Sequence, residues 1–262
     1  MTPNAHHDLL TAVARAFSDR SIVVIGAVAM QWHFASFRGT MDLDLCIAMD
    51  LDEHERASGL PAAWKRMVVP PHRWMTDDGQ MLDILPAADH LLQAGLIHWP
   101  NGTVMDMSGL DIAMYDNCRF AADLPPNVAV ATKRALFLAK VASWLDRPQE
   151  RQKDLGDLGL LLENYLDDNH PRRFDEPGIE AFEWSDRPAA LLGMDLRTIG
   201  TARHRQRLQE FLLKVRNRDA REHRWMLHAG PRPWRDDSDT LSGRLDALVT
   251  GLGPDMPPQR GT

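Results

Sequence analysis

Residues 21–44 read SIVVIGAVAMQWHFASFRGTMDLD, and this stretch decides the fold. Residues 21–25 are a short β-branched run ending at Gly26, the pattern of a buried strand stopped by a residue that tolerates positive φ or a close backbone approach. Residues 27–34 then have helical composition. The N–H groups where such a helix begins have no partner inside it and lie at the positive end of its dipole, which favours a phosphate there. After Arg38, Gly39 and Thr40 the chain enters Met41-Asp42-Leu43-Asp44-Leu45-Cys46-Ile47. Residues two apart in a strand share a face, so Asp42 and Asp44 project together while Met41, Leu43, Leu45 and Ile47 project to the other side.

Two adjacent carboxylates repel, and a divalent cation relieves them. Mg²⁺ takes a few protein oxygens and completes its shell with water and substrate phosphates. Two such ions roughly 4 Å apart orient an attacking hydroxyl and stabilise a leaving pyrophosphate. The succession of strand, glycine, helix and paired acids therefore points to phosphoryl-group chemistry. Taken alone, the acid pair also reads as a solvated strand face.

Residues 72–85, HRWMTDDGQMLDIL, have the look of a hairpin whose turn contains Asp77, Asp78 and Gly79. On its second arm Met81, Asp83 and Leu85 share a face. An acid set among apolar strand residues needs a partner or a cation. Asp83 is thus the candidate third metal carboxylate, from a strand beside the one carrying Asp42 and Asp44, and the competing reading pairs it with an arginine at a sheet end.

The series Gly26-Ala27, then Arg38-Gly39-Thr40-Met41-Asp42-Leu43-Asp44, resembles the signature of the nucleotidyltransferase superfamily that includes DNA polymerase beta. Its R-x-T-x-D-x-D wording is similar to the abortive-infection nucleotidyltransferase toxins. The resemblance implies that Asp42, Asp44 and Asp83 hold Mg²⁺ or Mn²⁺ and that Gly26, Ala27, Arg38 and Thr40 approach the nucleotide. The superfamily usually has a second glycine or a serine where this chain has Ala27, which leaves triphosphate binding there to backbone amides.

Pro125-Pro126 marks the expected boundary between short β runs and helices. The following segment has almost no helix breaker until Pro148, and Lys133, Lys140 and Arg147 recur every seven residues, close to two helical turns. A new helix is expected from Gln149, with Asp154 and Asp157 at i, i+3 on one face. The block Lys140, Asp146-Arg147, Lys153-Asp154-Leu155-Gly156-Asp157-Leu158 is similar to the C-terminal signature of the abortive-infection family. That resemblance implies a catalytic role in which Lys140 contacts the triphosphate and Asp154 or Asp157 orients Lys140 or Arg147.

The 262 residues, of which 44% are hydrophobic and 26% charged, carry a formal charge of −7. So acidic a chain binds nucleic acid only through a local patch. The candidate is the basic stretch from Arg203 to Arg224, which also contains Arg205, Arg207, Lys214, Arg216, Arg218 and Arg221. Two cysteines, Cys46 and Cys118, argue against a disulfide framework. With no leader and no long apolar run, a cytoplasmic protein that avoids membranes is the expectation. Residues 51–67 read as a helix that Asp52 could cap, with Trp64 in the core, residues 107–111 and 117–120 as short strands, residues 174–196 as a loop-rich bridge containing Pro188, and His6 as solvated. The expected architecture is α+β: a mixed sheet flanked by helices in residues 1–125, a helical domain in 126–250 and a disordered tail in 251–262.

The expected function is a Mg²⁺-dependent nucleotidyltransferase that moves a nucleoside monophosphate from an NTP to a hydroxyl acceptor. Family resemblance adds a toxin of a toxin–antitoxin or phage-defence pair, an antitoxin partner and an RNA or tRNA end as acceptor. The alternative is a nucleotide-binding or interaction protein that keeps the fold without transfer.

Overall fold

The computed structural model describes residues 6–35, 37–56, 59–118 and 124–254. The chain divides into two compact units, Met1–Ala139 and Lys140–Thr262.

The first unit runs α1 (His7–Ala16), β1 (Ile22–Ile25), α2 (Gly26–His33), β2 (Asp42–Ile47), α3 (Leu51–Arg56), β3 (Lys65–Arg66), β4 (Arg73–Met75) and β5 (Met81–Pro86). It continues through α4 (Asp89–Ala94), β6 (Leu96–His98), β7 (Val104–Asp106), α5 (Leu110–Tyr115), β8 (Asn117–Cys118), β9 (Val128–Ala131) and the start of α6 (Lys133–Asp146). Seven of these strands form one mixed sheet in the order β3-β4-β5-β2-β1-β9-β8, and β6 and β7 form a separate pair. β1 and β9 are buried at every position and pair in parallel, as strands covered on both faces do. The expected α+β class is what the chain adopts.

Local reading holds where periodicity is strong and fails where it is short. The hairpin expected over residues 72–85 is β4–β5. A helix expected over residues 51–67 stops at Arg56, and Lys65–Arg66 is instead the edge strand β3. Its start is organised not by Asp52 but by Asp50 and Glu53: Glu53 N–H donates to Asp50 Oδ1 at 2.7 Å and Asp50 N–H to Glu53 Oε2 at 3.1 Å. Trp64, expected in the core, is half-buried. Residues 107–111, expected as strand, turn into α5. The strand expected at 117–120 is present as β8, while Arg119 and Phe120 lie outside the described residues. Pro125-Pro126 precede a strand, β9, which enters the sheet beside β1.

The second unit takes the end of α6 and then α7 (Gln152–Glu163), α8 (Arg172–Asp175), α9 (Arg187–Ile199), α10 (Ala202–Val215), α11 (Arg221–Ala229) and α12 (Ser238–Leu252). Its core contains Leu158 and Leu162 of α7, Leu191 and Leu192 of α9, and Leu245 and Leu248 of α12. Trp144 meets Phe211 edge-to-face at 5.6 Å. Of the stretch expected to be a loop-rich bridge, residues 174–196, the part from Arg187 onward is helical, as α9. Pro188 sits in the first turn of α9, where no intrahelical N–H is required. Buried Arg244 is held by Glu163, at 2.8 and 3.0 Å, and by Asp186. Of the expected tail, Gly251 and Leu252 close α12 and residues 255–262 lie outside the described residues.

Candidate functional site

Sheet register brings four residues of the first unit into one row. Ile25 faces Asp44 across the antiparallel β1–β2 pair, Asp44 faces Asp83 across the parallel β2–β5 pair, and Asp83 faces Arg73 across the antiparallel β4–β5 pair. Asp42 lies two residues before Asp44 on the same face. The three expected carboxylates therefore come together on neighbouring strands.

Gly26 ends β1 and begins α2 with φ of +64°. A Cβ there would overlap the Asp44 carboxylate, 2.8 Å from its Cγ and 3.0 Å from its Cβ. Glycine is what lets the helix start against that acid. The N-cap residue, Ile25, supplies no side-chain acceptor to the first turn of α2, and a carboxylate beside those N–H groups is favoured by the helix dipole. Ala27 is buried in the same turn. Thr40 Oγ1 lies 3.4 Å from the backbone N–H of Asp42, which donates to it, so this residue turns the chain into β2. Arg38 is exposed, with its guanidinium 5.1 Å from the Phe37 ring centroid.

Sequence reasoning did not name Arg73. Its Nε donates to Asp83 Oδ1 at 2.7 Å and its Nη2 to Asp83 Oδ2 at 2.8 Å, a bidentate fork, and Nη2 also reaches Asp42 Oδ2 at 3.3 Å. Hydrogen bonding to Asp83, then the charges of Asp83, Asp42 and Asp44, push the guanidinium further above its ordinary value against the opposing effect of burial. The available signal was hairpin arithmetic: a turn centred on Asp78 sets residue 73 opposite residue 83.

The carboxylates bear on the expected metal in two ways. Three acids on one sheet face are the hard oxygen donors that Mg²⁺ prefers. Yet both oxygens of Asp83 face a guanidinium, and among the described residues no group of three or more His, Cys, Asp or Glu side chains is arranged to hold a metal ion. As arranged, the three carboxylates do not fit a shared metal centre.

Behind Asp83 lies a layer of two histidines and a tryptophan. His72 Nε2 is 3.8 Å from Asp83 Oδ2, and the His72 ring is 5.8 Å from that of Trp99. His54, 1% exposed, donates from Nε2 to Ile84 O at 3.0 Å and meets Trp99 edge-on at 5.2 Å. Burial, assisted by the nearby Arg66 charge, pushes His54 from 6.5 down to about 4. The unfolded chain therefore binds a proton that the folded chain refuses between those values, and stability falls as pH drops through that window. The expected loss specific to His54 is about 2–3 kcal/mol at pH 4.5 relative to pH 7.5. Urea denaturation at the two pH values checks it: His54→Gln keeps a donor for Ile84 and should lose correspondingly less stability on acidification.

His6, expected to be solvated, is buried. Desolvation pushes its imidazole below the ordinary value, partly offset by the Thr40 backbone and the Asp42 charge.

In the second unit, Lys140, Asp154 and Asp157 are 6%, 3% and 3% exposed. Lys140 Nζ donates to Asp157 Oδ2 at 2.5 Å and to Asp154 Oδ1 at 3.2 Å, so both aspartates hold the lysine. Arg151 Nη1 approaches Asp154 Oδ2 at 3.5 Å. Arg147 lies beyond the end of α6, outside the expected helical stripe, and pairs with Asp146 at 3.2 Å and Glu150 at 3.5 Å. In the basic stretch, Arg207 pairs with Glu210, Arg216 with Asp246, Arg218 with Asp239 and Arg221 with Glu222. Much of its charge is thus balanced within the unit. No helix among the described residues is long and apolar enough to cross a membrane.

No family model matches the chain, and no curated protein matches it. Among solved structures it is similar to a protein from H. pylori provisionally named a nucleotidyltransferase, with a TM-score of 0.35 and 12% identity over 95% of this chain and 93% of that one. It is similar also to JHP933 from Helicobacter pylori, with a TM-score of 0.38 and 14% identity over 95% of this chain and 96% of that one.

Proposed function

We propose that the first unit binds a nucleoside triphosphate and transfers its nucleoside monophosphate to a hydroxyl acceptor, with an RNA end such as that of tRNA as the acceptor class. One observation carries the reading: the β1–α2 junction closes on Gly26 directly against Asp44, and Asp44 is in register with Asp83 on the next strand. A glycine turn, helix N–H donors and a face of acids are thereby set side by side, which is the arrangement that the sequence resemblance implies. In the reaction the acceptor oxygen bonds to the α-phosphorus, the bond from that phosphorus to the bridging oxygen breaks, pyrophosphate leaves, and the acceptor proton passes to a base. Backbone N–H groups of Gly26 and Ala27 and the side chains of Arg38 and Thr40 are the proposed phosphate contacts. Asp42 and Asp44 would be the oxygen donors to a Mg²⁺ or Mn²⁺ carried by the triphosphate, which would offset the charge of the phosphates. Such chemistry depends on positioning and charge stabilisation.

The test is incubation with each α-³²P-labelled NTP, Mg²⁺ or Mn²⁺ and total tRNA. Wild-type protein should move label into RNA or another acceptor, and Asp44→Ala should reduce the rate by about a hundredfold or more. Absence of label under every condition, from protein shown to be folded, sinks the transferase reading. A nucleotide-binding protein without transfer then takes its place, a reading favoured by the hold of Arg73 on Asp83.

A further inference from the structure

We propose that Arg73 is the resident counter-cation of the face formed by Asp42, Asp44 and Asp83, and that a divalent ion takes Asp83 as a ligand only when Arg73 leaves. The inference deepens the proposed function and rests on it for the use of that face, but metal binding measured without nucleotide tests it separately.

Asp83 is buried, and a buried carboxylate needs a compensating cation or a set of donors at all times. Arg73 meets that need with both arms of its fork, occupying one oxygen of Asp83 with Nε and the other with Nη2. A metal ion and this guanidinium compete for the same two oxygens. The third contact, from Nη2 to Asp42 Oδ2 at 3.3 Å, extends the same positive charge toward the D-x-D strand. A guanidinium does not give up its proton at any ordinary pH, so the competitor cannot be titrated away. It is removed only by moving. The side chain projects from a three-residue strand, and its length allows the head group to swing without a change of sheet register. His72 Nε2, at 3.8 Å from Asp83 Oδ2, is too far to replace the fork.

The metal affinity of the nucleotide-free protein is thus held low by its own arginine.

Mn²⁺ titration followed by the EPR signal of the free ion, without nucleotide, decides the matter on four proteins whose folding is checked by circular dichroism. Arg73→Ala should bind Mn²⁺ at least tenfold more tightly than wild type. Asp83→Asn should bind as wild type does, because Asp83 is not a ligand while Arg73 holds it. Arg73→Ala combined with Asp83→Asn should lose the gain. Equal affinity in wild type and Arg73→Ala overturns the proposal, as does weaker binding in Asp83→Asn than in wild type. Should Arg73→Ala fail to fold, the comparison of Asp83→Asn with wild type still decides, supported by Arg73→Gln as the gentler removal of charge. A transfer assay that fails while these affinities behave as stated removes the proposed reaction and leaves the role of Arg73 standing.

Discussion

Gly26→Ala is expected to destabilise the first unit by about 2–5 kcal/mol and to drive the Asp44 carboxylate from its place. Two costs combine. Alanine at φ of +64° adopts a left-handed backbone that costs about 1–2 kcal/mol. The added methyl also lands on Asp44, 2.8 Å from its Cγ, and overpacking of this kind adds about 1–3 kcal/mol. Gly79→Ala separates the two, since Gly79 has φ of +84° in the β4–β5 turn and no atom within 4 Å of the added Cβ. Urea denaturation should give that control only the backbone cost. The double substitution Gly26→Ala with Asp44→Ala removes the carboxylate and should recover part of the loss, leaving the 3.0 Å approach to the Asp44 Cβ. Equal losses for Gly26→Ala and Gly79→Ala show that Asp44 does not press on the β1–α2 junction, and the geometry behind the proposed site fails with it.

How much of this was legible in the sequence depends on how local the deciding interactions are. The run through Gly26 to Asp44 could be read because strand alternation, a turn glycine and a helix are each encoded within a few residues. The β4–β5 hairpin was legible for the same reason, with Asp77, Asp78 and Gly79 marking its turn. The strand β9 was not. Val128–Ala131 is a four-residue apolar run separated from α6 by Thr132 alone, and periodicity cannot distinguish so short a strand from the first turn of the helix after it. Pro188 misled in the opposite direction, because a proline breaks a helix interior but suits a first turn. In the site, the acids were evident as residue types, and the cation beside them was encoded in the hairpin itself, whose turn at Asp78 sets residue 73 opposite residue 83. Asp83 was weighed as a metal ligand or an arginine partner, and strand pairing places Arg73 against it. Lys140 carries the same lesson. Its spacing from Lys133 and Arg147 read as one helical stripe of cations, and helix packing buries it between two aspartates.

That burial makes Lys140→Met the most informative substitution in the second unit. Removing one partner of a buried ion pair leaves an uncompensated charge and costs about 3–5 kcal/mol, and here two carboxylates would be left facing each other. The apparent melting midpoint should fall by about 6–20 °C for a chain of this size. The aspartates are not equivalent to the lysine in this respect. Two acids share one buried ammonium, with Arg151 reaching Asp154 only at 3.5 Å, so Asp154→Asn retains the shorter 2.5 Å contact to Asp157, and it should change stability by less than about 1 kcal/mol. In the Lys140→Met background the same Asp154→Asn change relieves repulsion between the two carboxylates and should be clearly stabilising. This non-additivity is the signature of one interacting group. Thermal melts of the four proteins supply the cycle. Should Lys140→Met melt as wild type does, or should the two substitutions simply add, then the lysine is not held between the two acids and is available to bind an anion instead.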